Sequence, residues 1–135
     1  MKNSLPVIVA FISLFFVYTS SSQILEPIKW DIRVDSSFYE TNKSLNLIFK
    51  PTTELGWYIY SSDNDSNSGP RTEFEFNSNK TYKLKEGVIA ENVKTKFDEV
   101  WDSDVRYLDN TGYFLQAVEP IANNISVSGY ISYQV

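Results

Sequence analysis

Ile28-Lys29-Trp30-Asp31-Ile32-Arg33-Val34 alternates apolar and charged residues without a break. A period of two puts Ile28, Trp30, Ile32 and Val34 on one face of an extended chain, with Lys29, Asp31 and Arg33 on the other. That pattern predicts a strand with one face turned to a core, and the same kind of segment recurs down the chain. Leu45-Asn46-Leu47-Ile48-Phe49 is the next strand, closed by Pro51. Trp57-Tyr58-Ile59-Tyr60 follows Gly56, and alternation sends Tyr58 and Tyr60 to one face and Trp57 to the other. Phe74 and Phe76 share a face of a short strand. Val88 to Val93, Val105 to Leu108, Tyr113 to Val118 and a long Ile125 to Val135 supply the rest. Turn residues separate these runs and no helical spacing interrupts them. The expectation is one all-β sandwich domain over residues 23–135, with no helix longer than a turn or two.

Composition agrees with strands and excludes several kinds of chemistry. Aromatic residues make up 16% of the 135 residues, and aromatic and β-branched side chains favour a pleated, half-buried surface. The net charge is -5, and a nucleic-acid interface needs Lys/Arg stripes instead. There is no His and no Cys. Ser-His-Asp and Cys-His nucleophiles are therefore absent, as are conventional zinc, haem and iron–sulfur ligand sets. No feature calls for a metal or another cofactor.

The chain opens on an address. Lys2 precedes an apolar run from Leu5 to Val17, and Thr19-Ser20-Ser21-Ser22 offers small residues for cleavage. Residues 1–22 read as a signal peptide, and the run is short of the roughly 20 residues of a membrane-spanning helix. The expected location is periplasmic or secreted, with an uncleaved anchor as the alternative.

Two polar stretches invite chemical readings. Asp63-Asn64-Asp65-Ser66-Asn67-Ser68-Gly69 alternates oxygen side chains as a calcium loop does. A Gly at position 68 and a Glu at position 74 would complete that pattern, and Ser68 and Phe74 stand there. A solvated loop is the better reading. Asp98-Glu99-Val100-Trp101-Asp102-Ser103-Asp104 surrounds a Trp with acids. Paired carboxylates serve glycoside hydrolysis, but an acidic surface loop is the simpler reading for so small a sandwich. Trp101 stands apart, because an aromatic in such a loop marks a contact surface. Asn42, Asn64, Asn79 and Asn124 lie in Asn-x-Ser/Thr sequons.

The order of these segments resembles a known family. Ile24-Leu25-Glu26-Pro27-Ile28-Lys29-Trp30, Gly56-Trp57-Tyr58-Ile59-Tyr60-Ser61, Gly69-Pro70 before Thr72-Glu73-Phe74, Lys96-Phe97-Asp98-Glu99-Val100-Trp101 and Gly129-Tyr130-Ile131-Ser132-Tyr133-Gln134 are similar to the N-terminal periplasmic domain of DsbD-type thiol:disulfide interchange proteins, in the form common in Bacteroidetes-like bacteria. The resemblance covers nearly all of residues 23–135 and implies an immunoglobulin-like β-sandwich. It implies a protein-disulfide reductase that takes electrons from a membrane partner through a thioredoxin-like domain and passes them to exported disulfide-containing proteins. The family's site is a cysteine pair just past the strand resembled by Tyr130 to Gln134, because exchange passes through a mixed disulfide. Tyr58, Tyr60, Asp98 and Glu99 match positions lining that site, and Phe97 to Trp101 resembles its cap loop. Val100 stands where some relatives carry a Phe cap, so Trp101 is expected to take over the shielding. The sequence ends at Val135, where the first cysteine would come next, so a truncated sequence without its catalytic pair is expected. The alternative is a non-catalytic immunoglobulin-like module that contacts a protein or glycan through exposed aromatics. The resemblance puts Phe97 to Trp101 near Tyr58, Tyr60 and the Gln134–Val135 end.

Overall fold

A computed structural model describes residues 26–135; the expected signal peptide lies outside the described residues. The leading alternation forms β1 (Ile28–Asp35), antiparallel to β2 (Leu45–Thr53) in a register that sets Ile28 opposite Thr53 and Val34 opposite Leu47. Between them lies only a short helix, α1 (Tyr39–Asn42). The chain continues through β3 (Ile59–Tyr60), β4 (Glu73–Phe76), β5 (Tyr82–Glu91), β6 (Lys94–Asp98), β7 (Ser103–Leu108), β8 (Tyr113–Pro120) and β9 (Gly129–Ser132). One sheet has the order β1-β2-β8-β5; the others are β3-β7-β6 and the β4-β9 ribbon. The Thr72 hydroxyl donates to the Tyr60 carbonyl at 2.6 Å and ties the start of β4 to β3.

Leu47, Phe49, Ile59, Tyr82, Leu108, Phe114 and Val118 form the core between these layers. Phe74 bridges them, with its ring 5.2 Å from that of Phe49 and 5.1 Å from that of Phe114. The molecule is an all-β, immunoglobulin-like sandwich. Its strand neighbours are non-consecutive at β2–β8 and β5–β8, the crossed-over connectivity of that architecture.

Local chemistry explains the irregular positions. Pro51 sits in β2 beyond Phe49, where the pairing with β8 has ended, so its missing N–H leaves no gap in that ladder. The β5–β8 register shifts between Lys85 and Ile89, and Glu86 takes φ 58°. Buried Gln116 answers this bulge by donating to the Lys85 carbonyl at 3.0 Å and to the Ala117 carbonyl at 2.8 Å.

Several expectations need correction. The strand expected over Trp57 to Tyr60 is confined to Ile59–Tyr60, because Trp57 closes a turn by donating its N–H to the Glu54 carbonyl at 3.0 Å. The strand expected at Val88 to Val93 is the second half of β5, and Val93 lies beyond it. The long strand over Ile125 to Val135 shrinks to Gly129–Ser132. Before it the backbone pairing thins to the Asn77 N–H donating to the Ser128 carbonyl at 2.8 Å, and asparagine side chains supplement it: Asn79 Nδ2 donates to the Ser126 carbonyl and Asn77 Nδ2 to Ser128 Oγ. Phe97 and Asp98 belong to strand β6 instead of a loop, and only residues 99–102 form the β6–β7 turn. Ile32 and Val34 share the parity of Ile28 and Trp30, yet they stay 58% and 62% exposed. They border an open apolar groove instead of the closed core.

Candidate functional site

β3 and β6 flank β7 and bring Tyr60 and Asp98 together. The Tyr60 hydroxyl donates to Asp98 Oδ2 at 3.0 Å. Its single proton is committed there, so the Tyr58 hydroxyl is the donor in the 3.4 Å contact with Tyr60. The result is a relay from Tyr58 through Tyr60 to Asp98. Asp98 Oδ1 also accepts the Val100 N–H at 3.0 Å, which folds the β6–β7 turn onto its own carboxylate.

Two residues not singled out from the sequence complete the cluster. The Tyr107 ring lies 5.2 Å from that of Tyr58, edge-on, and Lys96 Nζ stands 3.7 Å from the centre of the Tyr58 ring. Alternation signals both: Lys96 shares the parity of Asp98 on β6, and Tyr107 is the register partner of Tyr60. An ammonium over an aromatic face is worth about 0.5–1 kcal/mol at a partly exposed site.

Burial raises the Tyr60 hydroxyl well above the ordinary tyrosine value, and the hydrogen bond it donates to Asp98, with the Asp98 charge, pushes it the same way. For Asp98 burial works against ionisation. Hydrogen bonds from Tyr60, Val100 and Trp101, together with the Lys96 charge, outweigh it and hold the carboxyl below its usual value. Across the neutral range the pair is therefore a neutral phenol held against an anionic carboxylate.

The signs give a test. A raised Tyr60 contributes stability that is complete below the unfolded tyrosine value, about 10, and is lost as pH climbs past it. A lowered Asp98 contributes stability that is present above about 4 and lost as pH falls through the folded value. Tyr60→Phe is expected to flatten both limbs of a plot of melting temperature against pH. A variant whose limbs match the wild type would show that the relay does not couple to folding.

Trp101 is placed by a different neighbour. Gly69, at φ 141°, leaves room beneath the indole: a Cβ there would meet Trp101 Cγ at 3.3 Å and Val105 Cγ1 at 3.2 Å. The Ser103 hydroxyl donates to the Ser68 carbonyl at 2.6 Å and fixes the turn to the 61–70 loop. That loop is not simply solvated. Asn64 is buried, donates Nδ2 to the Pro70 and Arg106 carbonyls at 3.0 and 2.9 Å, and accepts the Arg106 N–H at 2.8 Å. The Asn64 sequon is thus closed to a glycan in the folded chain. Asp63 pairs with Arg106 Nη2 at 3.0 Å and accepts from Ser61, so its carboxylate serves the loop.

Ser66, Gly69, Pro70 and Arg71 face Ser132, Tyr133 and Gln134 across a shallow cleft. Tyr58, Tyr60 and Asp98 form one hydrogen-bonded cluster, and Gly69, which seats Trp101, lines the cleft opposite the β9 end. Glu99 and Val100 are also on the turn, but both are exposed and Val100 is 85% so. Phe97, expected in the cap, has the opposite parity to Asp98 on β6 and is exposed on the other side of that strand. The surface holds no thiol and no other nucleophile of disulfide exchange, because the chain has no cysteine. What it offers is a fixed carboxylate, a phenol relay, a lysine and a half-covered indole. No family model matches this chain, and no curated protein or solved structure matches it either.

Proposed function

We propose that this chain is the scaffold of an exported thiol:disulfide interchange domain of the DsbD N-terminal type. The observation that supports it is the Tyr58–Tyr60–Asp98 hydrogen-bonded cluster at the base of the turn whose Trp101 sits on Gly69, a residue lining the cleft with Ser132–Gln134. Tyr60 and Asp98 are distant in sequence, and Gly69 lies beside the strand end that the family follows with its cysteines. In this reading a thiol pair past Gln134 attacks substrate disulfides. The anionic Asp98 raises the cost of a neighbouring thiolate and keeps the resting thiol protonated. Trp101, 46% exposed on its Gly69 seat, is the removable shield. Electrons arrive from a thioredoxin-like domain or membrane partner and leave to exported proteins, in the periplasm or outside the cell.

The 135-residue chain by itself is expected to reduce no insulin, since no side chain in it forms a mixed disulfide. The test of the shield uses the protein from its native reading frame, with the cysteine pair that the proposal places after β9. Trp101→Ala is expected to speed oxidation of that pair by about tenfold, the size of a gating effect of about 1.4 kcal/mol. An unchanged rate would remove Trp101 from the cap, and a frame without cysteines would remove the redox reading.

The absence of cysteine and the exposure of Trp101 favour a second reading, a binding module that meets a protein or glycan through its aromatics. Trp101→Ala then weakens binding in a chain that needs no thiol.

A further inference from the structure

We propose that Lys96 is the positioning residue of the Tyr58–Tyr60–Asp98 cluster: its ammonium pins the Tyr58 ring where the hydroxyl reaches Tyr60, and supplies the positive charge that balances the Asp98 carboxylate. Its part in disulfide exchange rests on the function proposed above; its part in the cluster does not. Tyr58 stands just before β3, outside the pairing of that strand with β7. No ladder register therefore fixes its ring. The contact from its hydroxyl to Tyr60 is 3.4 Å, longer than an ordinary O–H···O bond. A bond that long, from a residue off the ladder, is lost by a small rotation of the ring. What holds the ring are Tyr60 and Tyr107, edge-on at 5.4 and 5.2 Å, and the Lys96 ammonium 3.7 Å from its centre.

Two lysines share this face of β6, and they are used differently. Lys94 is tied to the Asp109 carboxylate in the β7–β8 turn. Lys96 has no carboxylate within ion-pair distance among the described residues, although Asp98 lies two residues on and shares its parity. Its ammonium lies over Tyr58 instead, with the centre of the Tyr107 ring 5.8 Å away. Its charge is thus bound to no single anion and acts on the whole cluster.

The other groups around Asp98 make this charge the counterweight. Tyr58 and Tyr60 approach from the β3 side and Tyr107 from β7, and the turn carries Glu99 and Asp102. Asp104 and Arg106 alternate to the face of β7 opposite Tyr107. In the 61–70 loop Asp63 is taken up by Arg106 and Asp65 by the Asn67 N–H. Burial works against ionisation of Asp98; the Tyr60, Val100 and Trp101 hydrogen bonds work for it, and the Lys96 charge adds to them. Without that charge the carboxylate stands less opposed, which favours its own protonation and disfavours a thiolate beside it.

The test compares Lys96→Met, which keeps the stem and removes the charge, with Lys96→Arg, whose guanidinium also stacks on aromatic faces. Lys96→Gln gives the same comparison should the methionine variant unfold. Carbon-detected NMR of the 135-residue chain follows the Asp98 carboxyl against pH. Lys96→Met is expected to raise the Asp98 midpoint by about half a pH unit, a roughly threefold gain in proton affinity. It is also expected to weaken the ring-to-ring Overhauser effects between Tyr58 and Tyr60, with Lys96→Arg restoring both. In the protein of the native reading frame, Lys96→Met is expected to slow thiol alkylation at neutral pH by about twofold, because less thiolate is present. An Asp98 midpoint or Overhauser effects that do not move in Lys96→Met would overturn the proposal, as would an arginine variant that behaves like the methionine one. Alkylation unchanged while Asp98 moves would overturn the part played in exchange. A native protein without thiols would overturn the exchange reading instead, and the Asp98 midpoint would still decide the place of Lys96 in the cluster.

Discussion

Replacing Asn64 by alanine is expected to lower the unfolding free energy by about 2–4 kcal/mol and to unseat Trp101. The side chain is buried, donates to the Pro70 and Arg106 carbonyls and accepts the Arg106 N–H. Alanine removes every one of those bonds, and each buried group left unpaired costs about 1–3 kcal/mol, less whatever water can re-enter. The loss is local in structure but not in consequence. Asn64 holds the 61–70 loop against β7, and Gly69 in that loop carries the indole of Trp101. Urea denaturation gives the stability change. Amide exchange from Ser61 to Pro70 is expected to rise more than exchange in β2 or β8. A loss under about 0.5 kcal/mol with unchanged exchange would mean that Asn64 does not anchor the loop.

Gly129→Ala is expected to cost about 3 kcal/mol, the upper part of the range for overpacking a tight site. A Cβ at that position would lie 1.9 Å from the Glu75 carbonyl oxygen and 3.0 Å from Phe76 Cα. Both obstacles are backbone, so no side chain can swing aside. Glu75 and Gly129 lie at the centre and start of the β4–β9 pairing, and relief means separating the strands where Phe76 faces Gly129. Thermal unfolding measures the loss, and the expected signature is early exposure of β9 to proteolysis. An alanine variant as stable as the parent would show that β9 approaches β4 less closely than described.

What the sequence revealed follows from how each segment is stabilised. β1 was legible because one parity is apolar and the other charged, as period two requires. Phe74 and Phe76 were legible for the same reason and stack with rings 6.4 Å apart. β6 was hidden because Lys94-Thr95-Lys96-Phe97-Asp98 is almost wholly polar: its Lys96 sets an ammonium over the Tyr58 ring, so the strand has no apolar face to display. The stretch before β9 looked like strand, but there one backbone bond from Asn77 to Ser128 is supplemented by the Asn77 and Asn79 side chains instead of a full ladder. Asn64 could not be distinguished from its solvated neighbours, since burial of one asparagine in an Asn- and Ser-rich loop depends on carbonyls of β7 and of Pro70. Of the candidate site, alternation put Tyr58 and Tyr60 on one face, and the family resemblance alone marked them as site residues. Their link to Asp98 rests on the β3-β7-β6 pairing, which single strands do not announce.

The central claim is that this surface serves disulfide exchange, and insulin reduction by the protein of the native reading frame tests it most directly. The account expects a cysteine pair shortly after Gln134 and insulin reduction that is abolished when either cysteine is replaced by serine. A native protein with no thiol, or one with thiols that leaves insulin oxidised under a reducing donor, would contradict it.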